Sequence, residues 1–193
     1  MARSKEFDPD AVLRRALELF WERGYEATSM ADLVERLGVA KASIYATFGS
    51  KSDLYAKALQ RYLDLTDPKI MAELSQPGPV LPAVRALVER YVTEAADDDR
   101  QLGCLVVNSA VELAAREERV ARLVEASWAH LEIALTSALL RARAQGELAP
   151  DADPRALARF LLVFFQGVRV LGRTPDPGAR LRDAARVVDS VLG

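Results

Sequence analysis

Apolar residues recur at intervals of three and four along most of the chain, and no stretch alternates apolar with polar residues for long enough to make a strand. The pattern predicts an all-α fold. A first helix opens at Asp8-Pro9, where a carboxylate can accept an orphan N–H and the proline ring presets φ, and it closes at Gly24. Val12, Leu13, Ala16, Leu17 and Phe20 fall on one face of it. A short second helix is expected behind Thr28 as its cap and runs to Leu37, where Gly38 can turn left-handed. A third spans Ala40 to Thr47. After Phe48-Gly49, Ser50 caps a fourth helix with Asp53 completing a capping box, and Leu54, Tyr55, Ala58 and Tyr62 carry it to about Leu65 or a little beyond.

Proline and glycine cluster between Gln76 and Pro82 and mark a connection. Longer helices follow over Val80–Ala96, Leu102–Ala115, Glu117–Gln145, Asp153–Gly172 and Asp176–Leu192, about nine in all. The Asp-Pro pair opens three of them by the same capping chemistry. A chain of 193 residues fits a small headpiece sharing its packing with a larger body. The expected division is residues 1–50 and 51–193.

Composition narrows the class of function. Half the residues are apolar, and the formal charge of −2 advertises no nucleic-acid partner, so any DNA footprint must be local. One cysteine excludes an internal disulfide, and the polar start Met1–Asp10 lacks the apolar stretch of a signal peptide; a reducing cytoplasm fits. The most apolar windows, near Leu102–Val107 and Leu161–Phe165, fall far short of the ~20 residues that span a bilayer, so no membrane partner is expected. Catalysis finds no nucleophile–base pair, phosphate-cradling glycine loop or metal-ligand spacing, and no cofactor is expected.

The two short helices around Gly38 have helix-turn-helix spacing. Helices of this length are unstable alone, so Leu33, Val34, Leu37, Val39, Ile44 and Phe48 must pack them on Phe20 and Trp21. The free side of the third helix then offers Lys41, Ala42, Ser43, Tyr45 and Thr47, small or hydrogen-bonding residues that can approach base edges. Thr28 and Lys51, each at the start of a helix, and the Tyr45 hydroxyl suit phosphate. From Val39 to Ala58, Lys41, Lys51 and Lys57 outnumber Asp53, a modest positive patch.

Gly24, Thr28, Gly38-Val39, Ile44-Tyr45, Phe48, Ser50-Lys51 and Leu54 together resemble the DNA-binding headpiece of the TetR family over residues 9–60. The resemblance implies a homodimer that binds a palindromic operator, represses transcription and is released by a small-molecule effector. Carried over with it are Thr28, Lys41, Ser43, Tyr45, Thr47 and Lys51. Two residues depart from the pattern. Ala40 stands where the family often has a capping Ser, at a cost of about 1 kcal/mol, and Thr47 stands where His is frequent.

The later run Gly103-Cys104-Leu105-Val106-Val107-Asn108-Ser109-Ala110-Val111-Glu112 resembles a TetR subgroup with Gly-Cys-Leu followed by Asn and Glu. Tyr91, Cys104, Asn108, Trp128, Phe164 and Gln166 are candidates to line an effector cavity. Aromatics at helical spacing also serve as plain core. Asn108 and Gln166 either satisfy a neighbouring helix or face a wet cavity. Cys104 reads as an inert thiol or as a sensor of oxidants and electrophiles, with Arg100 the one cation near it in sequence. His130, the single histidine, is expected at the surface or between helices rather than on a metal.

The last two helices carry broad apolar faces, and Leu157, Leu161, Phe165, Val168, Leu181 and Val188 are expected to pair with a second copy. A helical dimerisation protein without DNA binding is the alternative reading.

Overall fold

A computed structural model describes residues 7–98 and 100–193; residues 1–6 of the polar start read at Met1–Asp10 lie outside them. Among the described residues the chain is entirely helical. Its elements are α1 (Pro9–Arg23), α2 (Met30–Leu37), α3 (Lys41–Phe48), α4 (Lys51–Leu74), α5 (Val80–Ala96), α6 (Leu105–Glu112), α7 (Glu118–Ala144), α8 (Pro154–Leu171) and α9 (Gly178–Leu192). They divide into two compact units.

The first unit holds the chain up to Leu65 together with Asn108–Val124. It therefore reaches past the division expected at residue 50 and recruits a segment from much later in the sequence. Asp8 caps α1 by accepting from Asp10 N. Val12, Ala16, Leu17, Leu19 and Phe20 of α1 are buried, as are Leu33 and Leu37 of α2, Ile44 and Phe48 of α3, and Val39 between them. Trp21 packs edge-on against Tyr62, with ring centroids 5.1 Å apart. Buried Phe20 and Tyr55 form an aromatic group with half-buried Tyr25, Phe20 and Tyr25 each standing edge-on to Tyr55.

The late segment grips this unit through polar groups. The Glu112 carboxylate accepts from Tyr25 N at 2.9 Å and Glu26 N at 2.8 Å, holding the turn between α1 and α2. Gly24 fits that turn because its φ is +84° and a Cβ there would meet the Glu112 oxygens at 3.1 Å. Ser109 shares a hydrogen bond of 2.8 Å with the Tyr55 hydroxyl, and burial pushes that hydroxyl's pKa up to about 12. Ser52 donates to Glu117 at 2.8 Å, and Arg119 pairs with Asp53 at 3.1 Å.

The second unit holds Thr66–Val107 and Glu125–Gly193. Its core is drawn from α5, α7, α8 and α9 around Val84, Leu87, Val88, Leu135, Leu139, Ala158 and Leu161. Asp153 caps α8 as expected, whereas Asp176 does not open the last helix: its φ is +50°, and α9 starts at Gly178 without a side-chain cap. Also unlike the expectation, α4 continues through Pro68 to Leu74, where Arg141 donates to the Leu74 carbonyl at 2.7 Å.

The expected dimer residues are corrected by burial. Leu161, Phe165, Val168, Leu181 and Val188 are at most 2 % exposed within their own chain, and Leu157 packs half-buried on the same core. The five buried residues cannot also cover a partner, whereas Leu157 keeps part of its surface. The apolar surface left on these helices is Phe160, Val163, Val170 and Leu171 of α8 and Val187 and Val191 of α9. Both sides of α8 are apolar, so periodicity alone could not say which side faces inward.

Candidate nucleic-acid interface

The turn between α2 and α3 is fixed at both ends. Ser29, rather than Thr28, caps α2: its hydroxyl accepts from Asp32 N at 3.1 Å while the Asp32 carboxylate accepts from Ser29 N at 2.8 Å. The Ser29 hydroxyl also donates to the Asp32 carboxylate, and that bond first, then the Ser29 N–H, holds the Asp32 carboxyl below the ordinary carboxylate range. Gly38 ends α2 in the left-handed conformation, with φ +65°. Ala40 then starts α3 with no side-chain cap, so the first N–H groups of α3 have no partner from that position.

With Ile44 and Phe48 buried, Lys41, Ala42, Tyr45 and Ala46 form the exposed stripe of α3. Tyr45 is 44 % exposed, a large aromatic left in solvent with the Lys41 ammonium 5.9 Å from its ring centre. Ser43 and Thr47 are half-buried at the edges of the stripe. Ala46 was missed in the sequence reading, although it lies one turn beyond Ala42 and so shares its face.

At the start of α4 the expected capping box forms. Asp53 accepts from Ser50 N at 2.9 Å, and the Ser50 hydroxyl accepts from Asp53 N at 3.1 Å. Lys51 lies with its ammonium 4.1 Å from the Tyr25 ring centre, a position that fixes the side chain and leaves it half-buried. Lys57 donates to the Phe48 carbonyl at 3.0 Å and closes the end of α3.

Thr28 is corrected outright. It is fully buried, and its hydroxyl donates to the Gly24 carbonyl at 2.6 Å, so it braces the turn after α1 and cannot reach a phosphate. Hydroxyl residues before an apolar run read alike as caps or braces in sequence; only the fold separates Thr28 from Ser29.

The residues expected to line an effector cavity are not all brought together. Tyr91 is buried, with its ring 4.3 Å from that of Phe165 and the Arg169 guanidinium 4.3 Å from its ring centre. Burial pushes the Tyr91 hydroxyl's pKa up to about 12; Arg169 opposes the rise and nearby Cys104 adds to it. Phe164 stands edge-on to Phe165 and is half-buried, as is Cys104. Gln166 turns back to donate to the Leu162 carbonyl of its own helix at 3.0 Å. Trp128 on α7 has a buried Nε1–H with no hydrogen-bond partner among the described residues. Asn108 is half-buried in the first unit, while the other five belong to the second. His130 lies within 3.8 Å of the Asp67 carboxylate and is mostly exposed.

Among the described residues no helix is long and apolar enough to cross a membrane. Residues 12–58 match the profile described as "Bacterial regulatory proteins, tetR family", and residues 80–188 match "Tetracyclin repressor-like, C-terminal domain". The chain is 39 % identical over 193 residues to the uncharacterized HTH-type transcriptional regulator YezE of Bacillus subtilis (strain 168), covering 100 % of each chain. It is 33 % identical over 191 residues to the HTH-type transcriptional repressor ComR of Escherichia coli (strain K12), covering 98 % of this chain and 90 % of that one. Among solved structures, a cysteine-substituted TetR family transcriptional regulator CifR, complexed with a 26-bp operator duplex, superposes with a TM-score of 0.81. The identity there is 31 %, over 96 % of this chain and 98 % of that one. The headpiece geometry and these likenesses extend over both units: the chain belongs to the TetR family of bacterial transcriptional regulators.

Proposed function

We propose that this regulator works in the cytoplasm as a homodimeric repressor, binding a palindromic operator through α3 of each copy and releasing it when the second unit takes up a small-molecule effector. The observation that carries the reading is the exposed stripe Lys41, Ala42, Tyr45 and Ala46 on a helix whose other side is locked into the headpiece. Ser43 and Thr47 at its edges, with Lys51 at the start of α4, supply hydroxyl and cationic groups for the flanking phosphates. The operator complex of CifR supports a DNA partner, and the name of ComR supports repression.

The exposed apolar residues Phe160, Val163, Val170, Leu171, Val187 and Val191 supply a face for a second copy of α8 and α9. A two-fold pair places two recognition helices in successive major grooves when they stand roughly 34 to 36 Å apart. An effector that prefers the misplaced arrangement weakens operator binding by its differential affinity, commonly about 1 to 3 kcal/mol. Tyr91, Cys104, Trp128 and Phe164 are the side chains through which the second unit would meet that compound. The chain is assigned no catalytic role.

Selection of genomic DNA fragments by the purified protein at fixed salt tests the reading, with a Tyr45→Phe, Lys51→Ala double variant as control. One palindromic site recovered by the wild type and lost by the variant is expected. Equal recovery of unrelated fragments by both proteins contradicts it.

A further inference from the structure

Strong base recognition in the major groove uses side chains that make two hydrogen bonds to one base: Arg or Lys to guanine, Asn or Gln to adenine, Asp or Glu to cytosine. The sequence of α3, Lys41-Ala42-Ser43-Ile44-Tyr45-Ala46-Thr47-Phe48, holds no Arg, Asn, Gln, Asp or Glu. Lys41 is its one candidate for such a pairing, and the two hydroxyl residues Ser43 and Thr47 are half-buried at the margins. What the exposed stripe presents instead, beside Lys41 and Tyr45, is a pair of bare methyl groups on Ala42 and Ala46.

A methyl can recognise only an apolar feature, and the one apolar feature on the major-groove edge of an unmodified base pair is the thymine C5-methyl. With no bulk beyond Cβ, Ala42 and Ala46 let the helix come close enough for methyl–methyl contact. They lie four residues apart on one face, a rise of about 6 Å along the helix. That spacing corresponds to about two base-pair steps at the ~3.4 Å rise of the duplex. Their positions are held from behind, since Ile44 and Phe48 are buried and Lys57 ties the end of α3 by its bond to the Phe48 carbonyl.

We infer that Ala42 and Ala46 are specificity-determining residues that read thymine methyl groups, placed about two base-pair steps apart in each operator half-site. The inference rests on the operator-binding function proposed above and names what that function recognises. Lys41 supplies the accompanying hydrogen-bonded contact, to a guanine on the N-terminal side of the two thymines.

The test uses the duplex recovered by fragment selection, synthesised with deoxyuridine replacing thymidine at one position at a time. Deoxyuridine pairs identically and lacks only the methyl. Removing a contacted methyl is expected to weaken wild-type binding about fourfold, as for one buried methylene-sized group. Thymines outside the contacted pair should give a ratio near one. The Ala46→Gly variant should lose the thymine-over-uracil ratio at one of the two positions and keep it at the other, and Ala42→Gly should do the converse. Glycine weakens α3 itself, but that loss falls equally on both duplexes and cancels in the ratio.

Wild-type binding that is indifferent to every uracil replacement, on a duplex it still prefers to a scrambled one, overturns the methyl-reading inference and leaves operator binding standing. Glycine variants that keep both wild-type ratios overturn the assignment to Ala42 and Ala46. Failure to recover any common site contradicts operator binding itself and this inference with it.

Discussion

Replacing Glu112 by Ala should loosen the DNA-binding unit from a residue that lies on α6, far from α3 in sequence. Its carboxylate accepts from the backbone N–H groups of Tyr25 and Glu26 at 2.9 and 2.8 Å. The Glu26 bond is exposed, so water replaces it in the variant; the Tyr25 bond is partly buried and leaves a donor without its partner. Hydrogen bonds to charged groups contribute about 1.5 to 3 kcal/mol each. Counting the Tyr25 bond fully and the Glu26 bond hardly at all gives a loss of about 2 kcal/mol for Glu112→Ala. Glu112→Gln keeps one oxygen for Tyr25 N, and its loss should be about 1 kcal/mol. Urea unfolding of both variants beside the wild type reads these losses, and operator affinity should fall in the same order because α2 must be held for α3 to dock. Unfolding free energies of all three proteins within about 0.5 kcal/mol, a typical surface-substitution effect, would refute the reasoning.

Thr28→Val removes a hydroxyl that braces the Gly24 carbonyl, and it should cost about 1 to 3 kcal/mol in unfolding while the folded variant binds operator as the wild type does; a loss of affinity in a variant that is still fully folded would restore Thr28 to the phosphate contacts. Asp32 and Asp53 are held below their ordinary pKa, first by the Ser29 and Ser50 hydroxyls. Their contribution is fully present above the unfolded aspartate value of about 3.9 and is lost as pH falls through the lower folded values. Stability measured from pH 5 to 2 should therefore fall less in Asp32→Asn, Asp53→Asn than in the wild type. Phe160→Glu with Val163→Glu should give a folded monomer by sedimentation, whereas Leu161→Ala should cost about 2 to 5 kcal/mol of unfolding free energy as a cavity in the core; a double variant that stays dimeric moves the interface elsewhere. Cys104→Ser should bind operator as the wild type does, and treatment of the wild type with N-ethylmaleimide should leave that binding intact; release by the reagent would make Cys104 a sensor.

The headpiece was legible in the sequence because its signals are local. Asp8-Pro9, Gly38 and the Ser50–Asp53 pair each fix a helix end by chemistry within a few residues, and the structure places all of them so. The late segment Asn108–Val124 was not legible as part of that unit, since Glu112 reaches Tyr25 across 87 positions and nothing local announces the pairing. The faces of α8 were ambiguous for another reason: Leu161 and Val163 look alike in a hydrophobic pattern, yet one is wholly buried and the other 71 % exposed. Thr28 shows the limit for polar groups, because a hydroxyl beside a helix start can cap, brace or bind a ligand, and only its partner decides.

The central claim is that the exposed face of α3 reads sequence. It is tested most directly by the affinity ratio between the selected operator and a scrambled duplex of equal length, measured at one salt concentration for the wild type and for Lys41→Ala, Tyr45→Ala. A wild-type ratio of about a thousand or more is expected, as for specific DNA-binding proteins generally, with a fall of about tenfold or more in the variant, which keeps Ala42 and Ala46 and an unchanged unfolding midpoint. A wild-type ratio near one, or a ratio that survives the substitutions, would contradict it.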